Sequence, residues 1–148
     1  MGELHPLSQQ PALETVLKNA EPNMRQEAYN LLDEAIALMA QDRRDEAISR
    51  FEAALAVALR EGTSEARATV ARNAGIAYRE YQQLGEAVRC FEIAVTSDPS
   101  DGRTFIMLAM LARQLGNRGA VEEHLARALQ IASESGNEEL RSLVEHFE

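Results

Sequence analysis

His5, His124, His146 and Cys90 are the side chains best suited to general-base, nucleophilic or metal chemistry at neutral pH, and their spacing assembles none of it. The histidines fall far apart, on an N-terminal tail, on a helix and in a C-terminal cap, and read as surface residues. Cys90 directly precedes an apolar packing residue, Phe91, with no CxxC pair and no zinc-type spacing. It reads as a half-buried filler rather than a nucleophile. No GxxxxGK phosphate loop, GxGxxG turn or HExxH helix occurs in the sequence. The expectation is a non-enzyme with no catalytic residue, no metal and no cofactor, a chain that acts by contact.

The elements available to make such contacts are helices. The chain has 148 residues, a size that suits one domain with a real core. It is 45% hydrophobic and 26% charged, but only 5% aromatic, with no tryptophan. Abundant alanine favours closely packed helices over a sheet. Net charge is −9, which disfavours nucleic acid as a partner. The charge is uneven: residues 1–66 hold 12 acids against 6 bases, whereas residues 67–132 hold 7 against 8. The single cysteine cannot form an internal disulfide, no leader-like segment opens the chain, and no apolar run is long enough for a membrane span. Together these give the expectation of a soluble cytoplasmic protein.

One pattern is written more than once. QLGEAVRCFEIAVTSDP, beginning at Gln83, places Phe91 four residues and Ala94 seven residues after Ala87; RRDEAISRFEAALAVAL, beginning at Arg43, does the same with Ala47, Phe51 and Ala54. Upstream of the first stretch, Ala71, Ala74, Gly75 and Tyr78 follow i, i+3, i+4, i+7 spacing, one face of a helix. A break follows at Gln82-Gln83-Leu84-Gly85, and Asp98-Pro99 ends the second helix because the residue before proline avoids the α region. The unit is a helix–turn–helix of about 34 residues. A third copy carries Phe105, Leu108, Ala109 and Ala112, then Leu125, Ala128 and Leu129. The pattern predicts repeats at about 28–61, 68–101 and 102–135, with six extra residues between the first two absorbed around 60–65. Residues 136–147 space Leu140, Leu143, Val144 and Phe147 along one side, as a capping helix would. Residues 11–20 suggest a short helix ending at Glu21-Pro22-Asn23, and residues 1–10 a dangling tail, so the expected division is 1–20 and a single domain over 21–148.

Over about 28–135 the sequence resembles the tetratricopeptide repeat family. Ala74-Gly75, Tyr78, Ala87, Phe91, Ala94 and Pro99 carry the resemblance in the second copy, Ala47, Phe51 and Ala54 in the first, and Gly116 and Ala128 in the third. Leu31 and Ala71 replace the usual aromatic of the first helix, which Phe105 restores in the third copy, and copies one and three lack the terminal proline. The resemblance implies an all-α superhelix, a solenoid of three helix-turn-helix repeats plus a cap, in which first helices line a concave groove. Small Gly75 and Ala87 would let helices approach closely while Phe91 and Tyr78 fill the remaining space.

The family's groove positions fall on Tyr29, Leu32, Asp33, Ile36, Met39 and Ala40; on Thr69, Arg72, Asn73, Ile76, Arg79 and Glu80; and on Arg103, Ile106, Met107, Met110, Arg113 and Gln114. Four arginines, Arg72, Arg79, Arg103 and Arg113, would then converge and pair with carboxylates of an acidic or C-terminal peptide. Met39, Met107 and Met110 would supply adaptable apolar contacts, and Asn73 a hydrogen bond to a ligand's backbone. Two other readings stand beside these: the arginines form a solvated face with acids of their own helices, and residues 1–20 cover the methionines. The family's two-carboxylate clamp for chaperone tails is broken here, because Tyr29, Asp33 and Met107 occupy three of its positions although Asn73 and Arg103 stand at the other two. The expected role is therefore a scaffold, adaptor or co-chaperone-like module that holds an acidic or apolar segment of another protein. The alternatives are a homodimerising module and a small secretion-type chaperone.

Overall fold

The computed structural model describes residues 13–148 as seven helices, with no strand among the described residues. They are α1 (Leu13–Ala40), α2 (Arg44–Glu61), α3 (Ser64–Glu80), α4 (Leu84–Ser97), α5 (Gly102–Gln114), α6 (Arg118–Ser135) and α7 (Glu138–Glu145). One turn design recurs inside each pair. The middle residue takes positive φ (Asp42 at 59°, Gln82 at 62°, Gly116 at 77°), and the next N–H donates back to a carbonyl of the helix just ended. These bonds are Arg43 to Leu38 at 3.0 Å, Gln83 to Tyr78 at 2.8 Å and Asn117 to Ala112 at 2.8 Å. This is the Schellman arrangement, which satisfies orphan carbonyls at a helix end and reverses the chain in three residues. The turn residues are spaced as the sequence copies are, so the repeat is as visible in the turns as in the apolar faces.

Between pairs, the next helix starts on a side-chain cap. Thr63 accepts from the Ala66 N–H at 3.1 Å, Asp101 from Thr104 at 3.3 Å, and Asn137 from Leu140 at 3.0 Å. Each cap satisfies an N–H that the first turn leaves without an intrahelical partner. Reversal within pairs and capped restarts between them pack α1 on α2, α3 on α4 and α5 on α6, with each pair also against the next.

The core follows the size alternation along each helix. Phe51 and Phe91 are buried, and Ala47, Ala54, Ala87 and Ala94 surround them at full burial. Gly75 sits directly under the Phe91 ring, where a Cβ would come within 2.8 Å of Cε1. In the third pair the residue matching the two phenylalanines is Leu125, and a second, smaller cluster forms from Ile106, Ala128, Ile131, Ala132 and Leu140. Gly102 lies beneath Leu140 of α7, so the cap closes onto α5 where α5 has no side chain.

Two details differ from the sequence expectation. The helix does not stop at Glu21-Pro22-Asn23: α1 runs on as one 28-residue helix through Pro22, which removes one backbone donor without ending a segment otherwise rich in helix formers. The expected tail at 1–10 lies outside the described residues. In the cap, Leu140 is buried and Val144 and Phe147 pack on the second cluster, but Leu143 is 40% exposed. The short α7 has only one covered side, and Leu143 lies off it. The longer first repeat is accommodated by α2, whose 18 residues exceed the 14 of α4 and leave Leu59 44% exposed near its end.

Candidate interaction face

The first helices of the pairs form the row that a binding face would use. α1 packs against α3, and α5 packs against α7. Along α1, Leu32 is 4% exposed and belongs to the core, so it offers nothing to a partner. Tyr29 and Met39 are half-buried against the same core, and Ile36 is 39% exposed. On α3, Thr69, Arg72, Asn73, Ile76 and Arg79 are all half-buried. On α5, Ile106 is buried and Met110 half-buried in the cluster shared with the cap, whereas Met107 packs on the main core. Among the apolar residues at these positions, Tyr29, Ile36, Met39, Ile76 and Met107 therefore remain partly uncovered.

The four arginines do not act as one group. Arg72 Nη1 donates to Asp101 Oδ2 at 2.8 Å, with both side chains largely covered. That same oxygen accepts from the buried Thr104 hydroxyl at 2.7 Å, while the other oxygen caps α5. Arg103 donates to Glu139 at the start of α7. The Arg113 guanidinium lies 4.9 Å from the centre of the Phe147 ring, near the end of the chain. Neither the Arg113 nor the Arg79 side chain makes a hydrogen bond or ion pair among the described residues, and Arg79 has no ring contact either. Arg72, Arg103 and Arg113 also open onto three separate hollows, of about 460, 660 and 380 Å³ respectively. Asn73 turns its amide inward and donates to the Thr69 carbonyl at 2.8 Å, a bond within its own helix. The acids that pair with Arg72 and Arg103 stand at the starts of the following helices rather than on the arginines' own.

Away from this face lies a charged network that sequence reading did not find. The Tyr78 hydroxyl donates to the Glu52 carboxylate, which also accepts from Arg89 at 2.6 Å. Arg89 reaches Glu86 as well, at 2.8 Å. Burial, then the bond to Glu52, pushes the Tyr78 phenol well above its ordinary range, and the bond to Glu86 raises Arg89. The network ties the first repeat to the second. Its only trace in the sequence is the shared Glu of the two Glu-Ala motifs and an acid at position 52, too common to single out.

Cys90 is fully buried, more than expected, and burial pushes its thiol up to about 11. His124 is half-buried with its ring 6.2 Å from that of Phe105, and His146 is exposed with Nδ1 2.9 Å from the Ser142 carbonyl oxygen. His5 lies outside the described residues. Among the described residues no group of three or more histidine, cysteine, aspartate or glutamate side chains could hold a metal ion, and no helix is long and apolar enough to cross a membrane.

Helical pairs stacked through small-on-aromatic crossings and repeated turns define a helical-repeat solenoid. The family model described as "Tetratricopeptide repeat" matches residues 26–100, about half of the chain, and the chain belongs to that family. Among solved structures it is similar to a chain of the crystal structure titled "APC/C hetero-tetramer Cut9-Hcn1", with a TM-score of 0.63 at 21% identity. The likeness covers 77% of this chain but 22% of that one, and it concerns the fold. No curated protein matches.

Proposed function

We propose that the chain is a non-catalytic protein–protein interaction module, a scaffold or adaptor of the cytoplasm, that holds a peptide of another protein along the inner face of its first helices. The observation that carries this reading is the set of partly uncovered apolar residues on the two packed helices α1 and α3, where Ile36 is 39% exposed and Tyr29, Met39 and Ile76 are half-buried. A stack that buries Phe51, Phe91 and Tyr78 nearly completely has the means to cover such residues, and leaves these open. Membership of a repeat family whose stacked helices present extended concave surfaces supports the same reading.

The test is capture from a native extract by the immobilised chain, run in parallel with an Ile36→Asp/Ile76→Asp variant whose helicity is checked by circular dichroism. A partner retained by the wild type and lost by the folded variant supports the reading; equal retention overturns it. Self-association is the second reading, favoured by exposed Leu129 and Leu143 at the C-terminal end of the stack. Light scattering across a range of concentrations decides it.

A further inference from the structure

We infer that the segment held on this face is apolar with a single acidic side chain, which pairs with Arg79. The inference rests on the proposed inner-face reading and narrows its ligand. A highly acidic ligand needs several free cations, and the inner face does not supply them. Arg72 is held by Asp101, Arg103 by Glu139, and Arg113 lies over Phe147. With those charges engaged and the whole chain at −9, a run of carboxylates would be repelled.

Arg79 differs. It stands one turn beyond Ile76 on α3 and is half-buried, yet its side chain makes no hydrogen bond, ion pair or ring contact among the described residues. A guanidinium without an acceptor of its own is open to a ligand, and its planar fork can take two carboxylate oxygens at once. Its neighbour on the same side of α3, Ile76, and Ile36 and Met39 at the matching positions of α1, the helix that packs on α3, gain nothing from charge and much from being covered. The complement is an apolar surface with one carboxylate in it. Arg79 also lies in the last turn of α3, where a cation is favourable on its own account. The experiment therefore has to separate a helix-end role from recognition.

A randomised peptide library is selected on the immobilised full chain, and the selected peptides are then titrated with each acidic residue replaced in turn by glutamine. The expected enrichment is for one acid among apolar residues, with loss of that carboxylate weakening binding by about tenfold or more. Arg79→Gln should abolish the difference between the acidic and glutamine peptides, Arg79→Glu should favour a lysine at that position, and Arg72→Gln should leave the order unchanged. Selection of several-acid peptides, or a carboxylate preference that survives Arg79→Gln, overturns the inference while leaving the inner face as the site. Binding that Ile36→Asp/Ile76→Asp does not weaken overturns both. A purely structural Arg79 would change melting temperature without changing the order of the peptides, and that result also counts against the inference.

Discussion

Replacing Gly75 by alanine places a methyl carbon 2.8, 2.9 and 3.0 Å from Cε1, Cδ1 and Cζ of Phe91. Carbon atoms rest about 3.5–4.0 Å apart, so the two helices or the ring must give by more than half an ångström. The ring has nowhere to go: Phe91 is fully buried, as are Ala87 and Ala94 on its own helix. Two effects then compete. Alanine is a better helix former than glycine by about 0.5–1 kcal/mol, which favours the substitution. Overpacking a closed core costs about 1–3 kcal/mol, which opposes it. The crossing wins, and Gly75→Ala should destabilise by about 1–2 kcal/mol after the propensity gain is subtracted. Gly75→Leu, with a larger side chain and the same fixed ring, belongs at the upper end of the overpacking range.

The assay is thermal and urea unfolding followed by far-ultraviolet circular dichroism at fixed protein concentration. A loss of 1 kcal/mol corresponds to roughly 2–4 °C for a chain of this length. Gly85 supplies the control, because a Cβ there meets nothing within 4 Å; Gly85→Ala should be neutral or stabilise by up to about 1 kcal/mol. Combining Gly75→Ala with Phe91→Leu should cost less than the sum of the two, since the smaller side chain vacates the contested space. If Gly75→Ala melts at or above the wild-type temperature while Gly85→Ala behaves as stated, the crossing is not close and the packing argument for the repeat falls.

Asp101→Ala should cost more than Arg72→Ala, by about 1 kcal/mol, because Asp101 both receives Arg72 and caps α5; a double-mutant cycle in urea that shows no coupling would refute the pairing. Gln82 holds a left-handed turn position that glycine occupies without steric cost, so Gln82→Gly should raise stability by about 0.5–1 kcal/mol, read as a higher urea midpoint. Cys90 should resist thiol reagents at neutral pH, labelling only as fast as the chain opens. Its raised value also sets a sign: the neutral thiol's contribution to stability is complete below the unfolded value near 9 and is lost as pH rises through about 11. A melting temperature of Cys90→Ala and wild type that falls in parallel over that range would exclude the cysteine as its source.

Much of the fold was legible because its rules are local. Each helix of the second pair sets a small residue three or four positions before an aromatic, Gly75 before Tyr78 and Ala87 before Phe91, and the turn between them brings Gly75 under the Phe91 ring. The turns repeat at the same spacing, since Asp42, Gln82 and Gly116 each reverse a helix in the same way. The ends were less legible. No neighbouring copy constrains them, so Pro22 passes inside α1 and Leu143 faces outward, where periodicity alone gave a break and a buried position.

The candidate face was less legible for a physical reason. Periodicity reports which side of a helix a residue occupies, not whether its charge is already spent. The acids that engage Arg72 and Arg103 stand 29 and 36 residues further along, at the starts of α5 and α7. There they double as helix-terminal residues, which gave them an evident role of their own: Asp101 caps α5, and Glu139 lies in the acidic first turn of α7. A stacked repeat can thus lock each first helix to the beginning of the next by an arginine–acid pair, and such pairs resemble a ligand site when only one partner is considered. Arg79 breaks that rule. Two turns beyond Arg72, in the last turn of α3, it has no following helix start to meet. What the inner face recognises should accordingly be decided near the turn end of α1 and α3, where Ile36, Met39, Ile76 and Arg79 lie together in sequence register, rather than at the capped ends where the charges are already matched.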